Sequence, residues 1–216
     1  MRDQARNVLE AVAIPMMVDD DTGYGNPMNV ERTVEGFGRA GCAGVMIEDQ
    51  VAPKRCGHTA GKAVVDREEA YNRIRAAAAA RGRCDILIKA RTDARRDHGL
   101  AEAIAHAQMF AALGANIVFI EEPLSVEEMR ILCAEVDAPM VANMLEGGQT
   151  PILPPAQLGD LGFAIAAYPL TCLSAAMQSM SGALLPFDQL RKAVGFDDFY
   201  AAEARYKSTQ RQGTKD

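Results

Sequence analysis

Six short apolar runs recur along the chain, separated by helical patterns: "IPMMVD" (14–19), "GVMIED" (44–49), "DILIKART" (85–92), "NIVFIEE" (116–122), "PMVANM" (139–144) and "FAIAAYP" (163–169). They show little of the polar alternation of a strand with one wet face, so they read as strands of a parallel sheet buried on both faces by helices. The segments between them read as helices near 29–40, 67–81, 100–113, 125–136 and 155–161, with more near 171–183, 187–194 and 197–209. An amphipathic helix in "MRDQARNVLEAVAIPMMV" leads into the first strand and has no signal-peptide cleavage pattern. "SVEEM" is a capping box, Ser125 being followed three positions later by Glu128. The expected fold is a single α/β domain over 1–216, either an open doubly wound sheet or a (β/α)8 barrel. A barrel needs eight strands and usually about 250 residues.

Nearly every strand ends in a polar group: Asp19 and Asp21, Glu48, Arg91 and Asp93, Glu121, Asn143, then Tyr168. In a parallel barrel these ends share one rim, where active sites are built. "VDDDTGYGN" (18–26) places three acids in succession, which repel unless a cation or several donors compensate. Side-chain alternation sends Asp19 and Asp21 one way while Asp20 points aside. The same stretch also suits a turn whose acids cap the next helix, with Gly23 and Gly25 supplying the bend. With Glu48, Asp19 and Asp21 offer three hard oxygen donors that suit Mg²⁺ with several retained waters. Mn²⁺ is a possible substitute, and no His/Cys cluster competes for zinc.

Arg91, at the end of "KART", reads as a carboxylate clamp, because its planar fork matches carboxylate geometry. It also suits an ion pair with Asp93 or Glu121, and the two roles can coexist. Glu121 and Asn143 can hydrogen-bond a bound acid or orient the arginine, while Glu122 is expected to face solvent. "EDQVAPKRCGHTAGK" (48–62) hangs directly off the second strand. Most charge runs are solvated loops. Here Cys56 sits beside Arg55 and close to Lys54 and His58, and such positive charge lowers a thiol pKa towards acid–base use near neutrality.

A net charge of −6 argues against a nucleic-acid partner, and the absence of a run of eighteen apolar residues argues against a membrane span. Five scattered cysteines without a CxxC pair indicate a reducing compartment, with the cytoplasm as the expected location.

In order, "VDDDTGYGN", "GVMIEDQVAPKRCGH", "GK", "KARTDA", "EGGQTP" and "AAYPL" resemble the isocitrate lyase / phosphoenolpyruvate mutase superfamily, most of all its 2-methylisocitrate lyase branch. The resemblance spans about residues 10 to 200. It implies a TIM-type α/β barrel and Mg²⁺-dependent lyase chemistry on a small 2-hydroxy carboxylate. An isocitrate-like acid would be cleaved to a 2-oxo acid and a succinate-type dicarboxylate. Alternatives are oxaloacetate decarboxylase or phosphonomutase-like activity, or a chain without catalysis. By position, Asp19 resembles the direct metal ligand, and Asp21 and Glu48 resemble groups holding the metal's waters. Arg91, Glu121, Asn143 and Gly57 match substrate-binding positions. Cys56, flanked by Lys54 and His58, matches the lyase acid–base on a closing loop. Members of the superfamily carry two further N-terminal strands with a catalytic-type tyrosine and another metal-shell acid, so about six of eight strands are expected here. The resemblance also implies a homodimer or homotetramer that exchanges C-terminal helices.

Overall fold

The computed structural model describes residues 1–55, 61–181 and 186–206. It divides into two compact units, Met1–Pro169 and Leu170–Asp216. The first contains α1 (Arg2–Ala11), β1 (Met17–Asp19), α2 (Pro27–Ala40), β2 (Gly44–Glu48), α3 (Arg67–Arg81), β3 (Leu87–Thr92) and α4 (Ala94–His98). It continues through α5 (Leu100–Ala112), β4 (Ile117–Ile120), α6 (Val126–Glu135), β5 (Met140–Asn143), α7 (Pro155–Leu161) and β6 (Phe163–Ala167).

Among the described residues the strands form one sheet in the order β1-β2-β3-β4-β5-β6, and every neighbouring pair is parallel. A doubly wound sheet reverses its strand order at a switch point. This one never does, so the architecture is an open six-stranded half-barrel. Each crossover contains at least one helix.

The helix ends follow local chemistry. Asn26 caps α2 by accepting from the Met28 and Asn29 amides, with Pro27 pre-set in the first turn. Asp66 caps α3 through the Glu69 amide. The capping box at α6 forms from one side as expected, with the Glu128 amide donating to Ser125 Oγ at 3.1 Å. The Glu128 carboxylate accepts from the Leu124 amide, one residue before the cap, and also pairs with Arg95 on α4.

Strand alternation sorts side chains between two faces. Outward, Val18, Val45, Ile47, Ile88 and Ala90 pack with Val34, Phe37, Ile74 and Ala77, and Val118, Ile120, Met140 and Ala142 pack with Ala103, Ala107, Met129 and Leu132. The small helical residues allow close approach. At Gly38 of α2 an added Cβ would lie only 2.6 Å from Cys84 Sγ. Inward, Met46, Ile117, Phe119 and Val141 form a smaller apolar cluster beneath the polar strand ends.

All six expected strands are present, in shortened form, and α4 is an addition that the sequence reading missed. It follows Asp93 directly and is too short to show an apolar period. In the second unit, α8 (Thr171–Ser181) and α10 (Phe196–Tyr206) bury no side chain. There, α9 (Phe187–Ala193) buries Leu190, while Arg191 lies over the rings of Phe196 and Tyr200.

Phe110 is fully enclosed on α5 and meets Tyr71 and His106 edge-on. Phe110→Ala should therefore cost about 3–5 kcal/mol of unfolding free energy in a urea titration, the range for emptying a buried aromatic site.

Candidate active site

Asp19 closes β1, and the chain then turns through Asp21 at φ 52° and Gly23 at φ 86°. The turn is fixed by backbone bonds from the Gly23 amide to Asp20 O and from the Glu48 amide to Asp21 O, at 2.8 and 2.9 Å. A side chain at Gly23 would place its Cβ 2.4 Å from Val30 Cγ2, so only glycine fits there. The geometry aims Asp19, Asp21 and Glu48 at one point, which the Lys54 ammonium occupies. Its Nζ lies 3.5 Å from Asp19 Oδ2 and 3.8 Å from Glu48 Oε1, and it pairs directly with Asp21 Oδ1. Against the cost of burial, Glu48, Asp21 and Asp19 hold the lysine's pKa above its ordinary value.

Glu48 is 1% exposed, yet neither carboxylate oxygen accepts a hydrogen bond among the described residues. Arg91 Nε stands 3.4 Å from Oε2, within ion-pair range but outside hydrogen-bond geometry. Burial pushes the Glu48 carboxyl up to about 7, and Arg91 and Lys54 offset this only in part. Asp20 is not among the acids that meet Lys54, and it is completely enclosed. The Tyr24 hydroxyl reaches its Oδ1 at 3.5 Å, while Oδ2 has no hydrogen-bond partner among the described residues. Burial first, then the neighbouring Asp19 charge, push its carboxyl up to about 7.

Arg91 lies in the middle of a buried network. Its Nε and Nη2 donate to the two Asp93 oxygens at 2.8 and 3.0 Å, and Nη2 lies 3.0 Å from Glu121 Oε2. The Asn143 amide donates to Glu121 Oε1 at 3.1 Å, so all three expected substrate-binding side chains on described strands or strand ends form one continuous chain. Arg91 and Lys62 hold the Asp93 carboxyl well below its usual range despite full burial. Glu122 does not face solvent. It is buried at φ 64°, with Lys62 Nζ at 3.2 Å and Arg96 Nη1 at 3.1 Å. The left-handed backbone after β4 swings it inward, where two cations compensate its charge.

Lys62 carries no local signal of a role in the sequence, yet its ammonium is enclosed between Asp93 at 3.0 Å and Glu122 at 3.2 Å. Asp49 and His106 were also missed. Asp49 Oδ1 accepts from the Asp93 amide at 2.9 Å, and its Oδ2 lies 2.9 Å from His106 Nδ1. His106 Nε2 is 3.2 Å from Glu102. The signal available was a histidine inside the apolar stripe of α5. Its partners lie up to 57 positions away in the chain, which the stripe does not reveal.

The segment after β2 leaves and returns through a narrow neck. Gln50 bridges Val64, the Val51 amide donates to Ala63 O, and the Val65 amide donates to Asp49 O. Cys56, Gly57 and His58 lie outside the described residues. Among those described, no three His, Cys, Asp or Glu side chains stand close enough to ligate one ion together.

The model of the family described as phosphoenolpyruvate phosphomutase matches residues 1–185. This chain belongs to the phosphoenolpyruvate mutase/isocitrate lyase superfamily. It is 42% identical over 177 residues to the 2,3-dimethylmalate lyase of Eubacterium barkeri, covering 82% of this chain and 61% of that one. It is 44% identical over 172 residues to a 2-methylisocitrate lyase of Aeropyrum pernix, covering 80% and 55% of the two. The chain thus spans little more than half the length of these superfamily relatives. A crystal structure of 2,3-dimethylmalate lyase superposes with a TM-score of 0.81 at 35% identity, over 100% of this chain and 78% of that one.

The raised Asp20 carboxyl has a consequence for stability. Between its ordinary pKa near 4 and about 7, the folded chain binds more protons at Asp20 than the unfolded chain, so this group's contribution falls as pH rises through that window. In chelator-treated protein, Asp20→Asn should be more stable than the parent at pH 8. That advantage should vanish near pH 4 in parallel urea titrations.

Proposed function

We propose that this rim is the active site of a divalent-cation-dependent carbon–carbon lyase acting on a 2-hydroxy di- or tricarboxylate. The observation that carries the reading is the convergence of Asp19, Asp21 and Glu48 on one cation beside the Arg91 network. Glu48 supplies the test of fit. A buried carboxylate that accepts no hydrogen bond among the described residues, with Arg91 at 3.4 Å and Lys54 at 3.8 Å as its cations, leaves room for a closer positive charge, and the donor set is all hard oxygen. Asp19 would hold Mg²⁺ or Mn²⁺ directly, and Asp21 and Glu48 would hold its waters, at the point that the Lys54 ammonium fills between these three acids. When bound, the ion supplies charge that stabilises the oxyanion developing on the 2-oxo half of the substrate.

The remaining roles fall to the chain's own groups. Arg91, fixed by Asp93 and Glu121, presents a pre-oriented guanidinium to a substrate carboxylate, and Asn143 holds Glu121 in place. Cleavage of the bond between C2 and C3 turns the C2 hydroxyl into a carbonyl, its proton passing to a carboxylate of the rim and from there to solvent, and leaves an electron pair on C3. Cys56, beside Arg55 and close to Lys54 and His58 in sequence, is assigned to protonate that carbon. The names of the relatives, a dimethylmalate lyase and a methylisocitrate lyase, support this substrate class.

The test is incubation with 2,3-dimethylmalate or 2-methylisocitrate and Mg²⁺, following release of pyruvate. Asp19→Ala should abolish both turnover and stabilisation by Mg²⁺. Cys56→Ser should lower turnover by roughly two orders of magnitude or more, with melting nearly unchanged. No pyruvate from either substrate would end the lyase reading. For assembly, we propose a homodimer or homotetramer joined through the C-terminal helices, because α8 and α10 bury nothing and expose Leu173, Met180, Phe199 and Tyr206. Light scattering should give a multiple of 23.2 kDa, and a monomer would refute it.

A further inference from the structure

Lys89 occupies an unusual position. On β3 it shares the inner face with Arg91, one same-face step below it, roughly 6.7 Å along the strand. Its register neighbours are Met46 on β2 and Ile117 on β4, both apolar. The row continues through Met46 to Asp19, so Lys89 and the proposed metal-binding acid lie on one level, two strands apart. The Lys89 ammonium lies over the Phe119 ring at 4.8 Å, and the Arg91 guanidinium lies over the same ring at 5.2 Å. Two cations therefore contact one aromatic ring.

Their surroundings differ in kind. Arg91 is engaged by Asp93, Glu121 and Glu48. Lys54 and Lys62, the other lysines at this end of the sheet, each contact carboxylates. Among the described residues no carboxylate lies within ion-pair distance of Lys89, although the residue is partly buried. Its charge is opposed by burial and by Arg91, which together lower its pKa, while Asp19 and Glu121 act on it only from farther away. A partly buried ammonium costs free energy unless an anion accompanies it. Among the described residues its neighbours are the Phe119 ring and, in ladder register, Met46 and Ile117, with no carboxylate at ion-pair distance.

We propose that Lys89 is a specificity-determining residue that receives the second carboxylate of a dicarboxylate ligand whose first carboxylate is held at the Arg91 end of the site. This deepens the lyase reading and rests on it for the location of the reacting end. It assigns the choice of di- and tricarboxylates over monocarboxylates to one side chain on the inner face. Phe119 sets the spacing between the two cations and keeps the stretch between them apolar, which suits the methylene or methyl-bearing carbons between two carboxylates.

The test is calorimetric binding of succinate and of pyruvate to the whole chain in the presence of Mg²⁺, independent of turnover. The parent should bind succinate more tightly than pyruvate. K89M should weaken succinate by roughly 10- to 100-fold, the range for losing a hydrogen bond to a charged group, and leave pyruvate within about twofold. K89R should keep succinate binding within a few-fold. K89Q, with folding checked by circular dichroism, should repeat the K89M result if K89M fails to fold. Equal losses for the two ligands, no loss for either, or a parent that does not prefer succinate would each overturn the proposal. A chain that cleaves nothing but loses succinate selectively in K89M keeps the Lys89 assignment and rejects the lyase reading. A chain that cleaves dicarboxylates with unchanged KM in K89M does the reverse.

Discussion

The Arg91–Asp93 pair is the interaction on which the rest of this rim depends. A bidentate ion pair enclosed in protein is costly to assemble, and removing one partner typically costs about 3–5 kcal/mol because the other charge is left stranded. Here the stranded charge would not be alone. Asp93 also anchors Lys62, Lys62 anchors Glu122, and Glu122 anchors Arg96, so one pair fixes the strand ends of β3 and β4 and the start of α4. The Asp93 backbone is held in turn by Asp49 at the end of β2, and Asp49 by His106 on α5. The position of the Arg91 fork is therefore set by groups on four elements, none of which needs a ligand to be in place. That is the preorganisation a carboxylate clamp requires.

The same chain of contacts explains why a long charged segment can leave β2 without disturbing it. Residues on both sides of the excursion are tied down, the outgoing side by Gln50 and Val51 and the returning side by Lys62, Val64 and Val65. Arg73 donates to the carbonyls of Glu48 and Gln50 from beneath, closing the neck against α3. Lys54 then reaches back from the excursion to the acids of β1 and β2. The rim and the segment are thus coupled electrostatically as well as by chain connection. A change in what neutralises the three acids alters what holds Lys54.

Much of the fold was legible because a parallel sheet has a simple signature. Unalternating apolar runs, separated by helices and ending in charge, place strands and rim together, and the order of elements excluded nothing that was found. Asp19 and Glu48 were also legible, because alternation along a strand fixes direction, while Asp21, past the end of β1, meets them through the turn at φ 52°. The pairing of Arg91 with Asp93 and Glu121 matches charges expected at neighbouring strand ends. What failed is informative. Glu122 was assigned to solvent by continuing strand alternation past Ile120, but the strand ends there and φ 64° reverses the outcome. Asp20 is set apart from Asp19 and Asp21 as expected, but it lies in the turn beyond β1 and is enclosed in protein rather than exposed. Lys62 and His106 escaped because their partners are 31 and 57 positions away, and no local pattern encodes such pairs.

Charge balance finally constrains what the site can accept. Asp19, Asp20, Asp21 and Glu48 crowd the β1–β2 end, and two of them are pushed towards neutrality by burial. Arg91 and Lys62 are already matched by Asp93, Glu121 and Glu122. An anionic substrate arriving at such a rim would add repulsion unless a cation came with it, or unless a cation of the protein had been kept in reserve. In the reading proposed here both conditions are met, by a divalent ion among the three acids and by Lys89 across Phe119. A neutral or cationic substrate would need neither. Each would then leave an unexplained feature: a Glu48 carboxylate whose oxygens accept no hydrogen bond among the described residues, and a partly buried lysine with no carboxylate at ion-pair distance among them. The two features fit one ligand class, an acid with carboxylates at both ends.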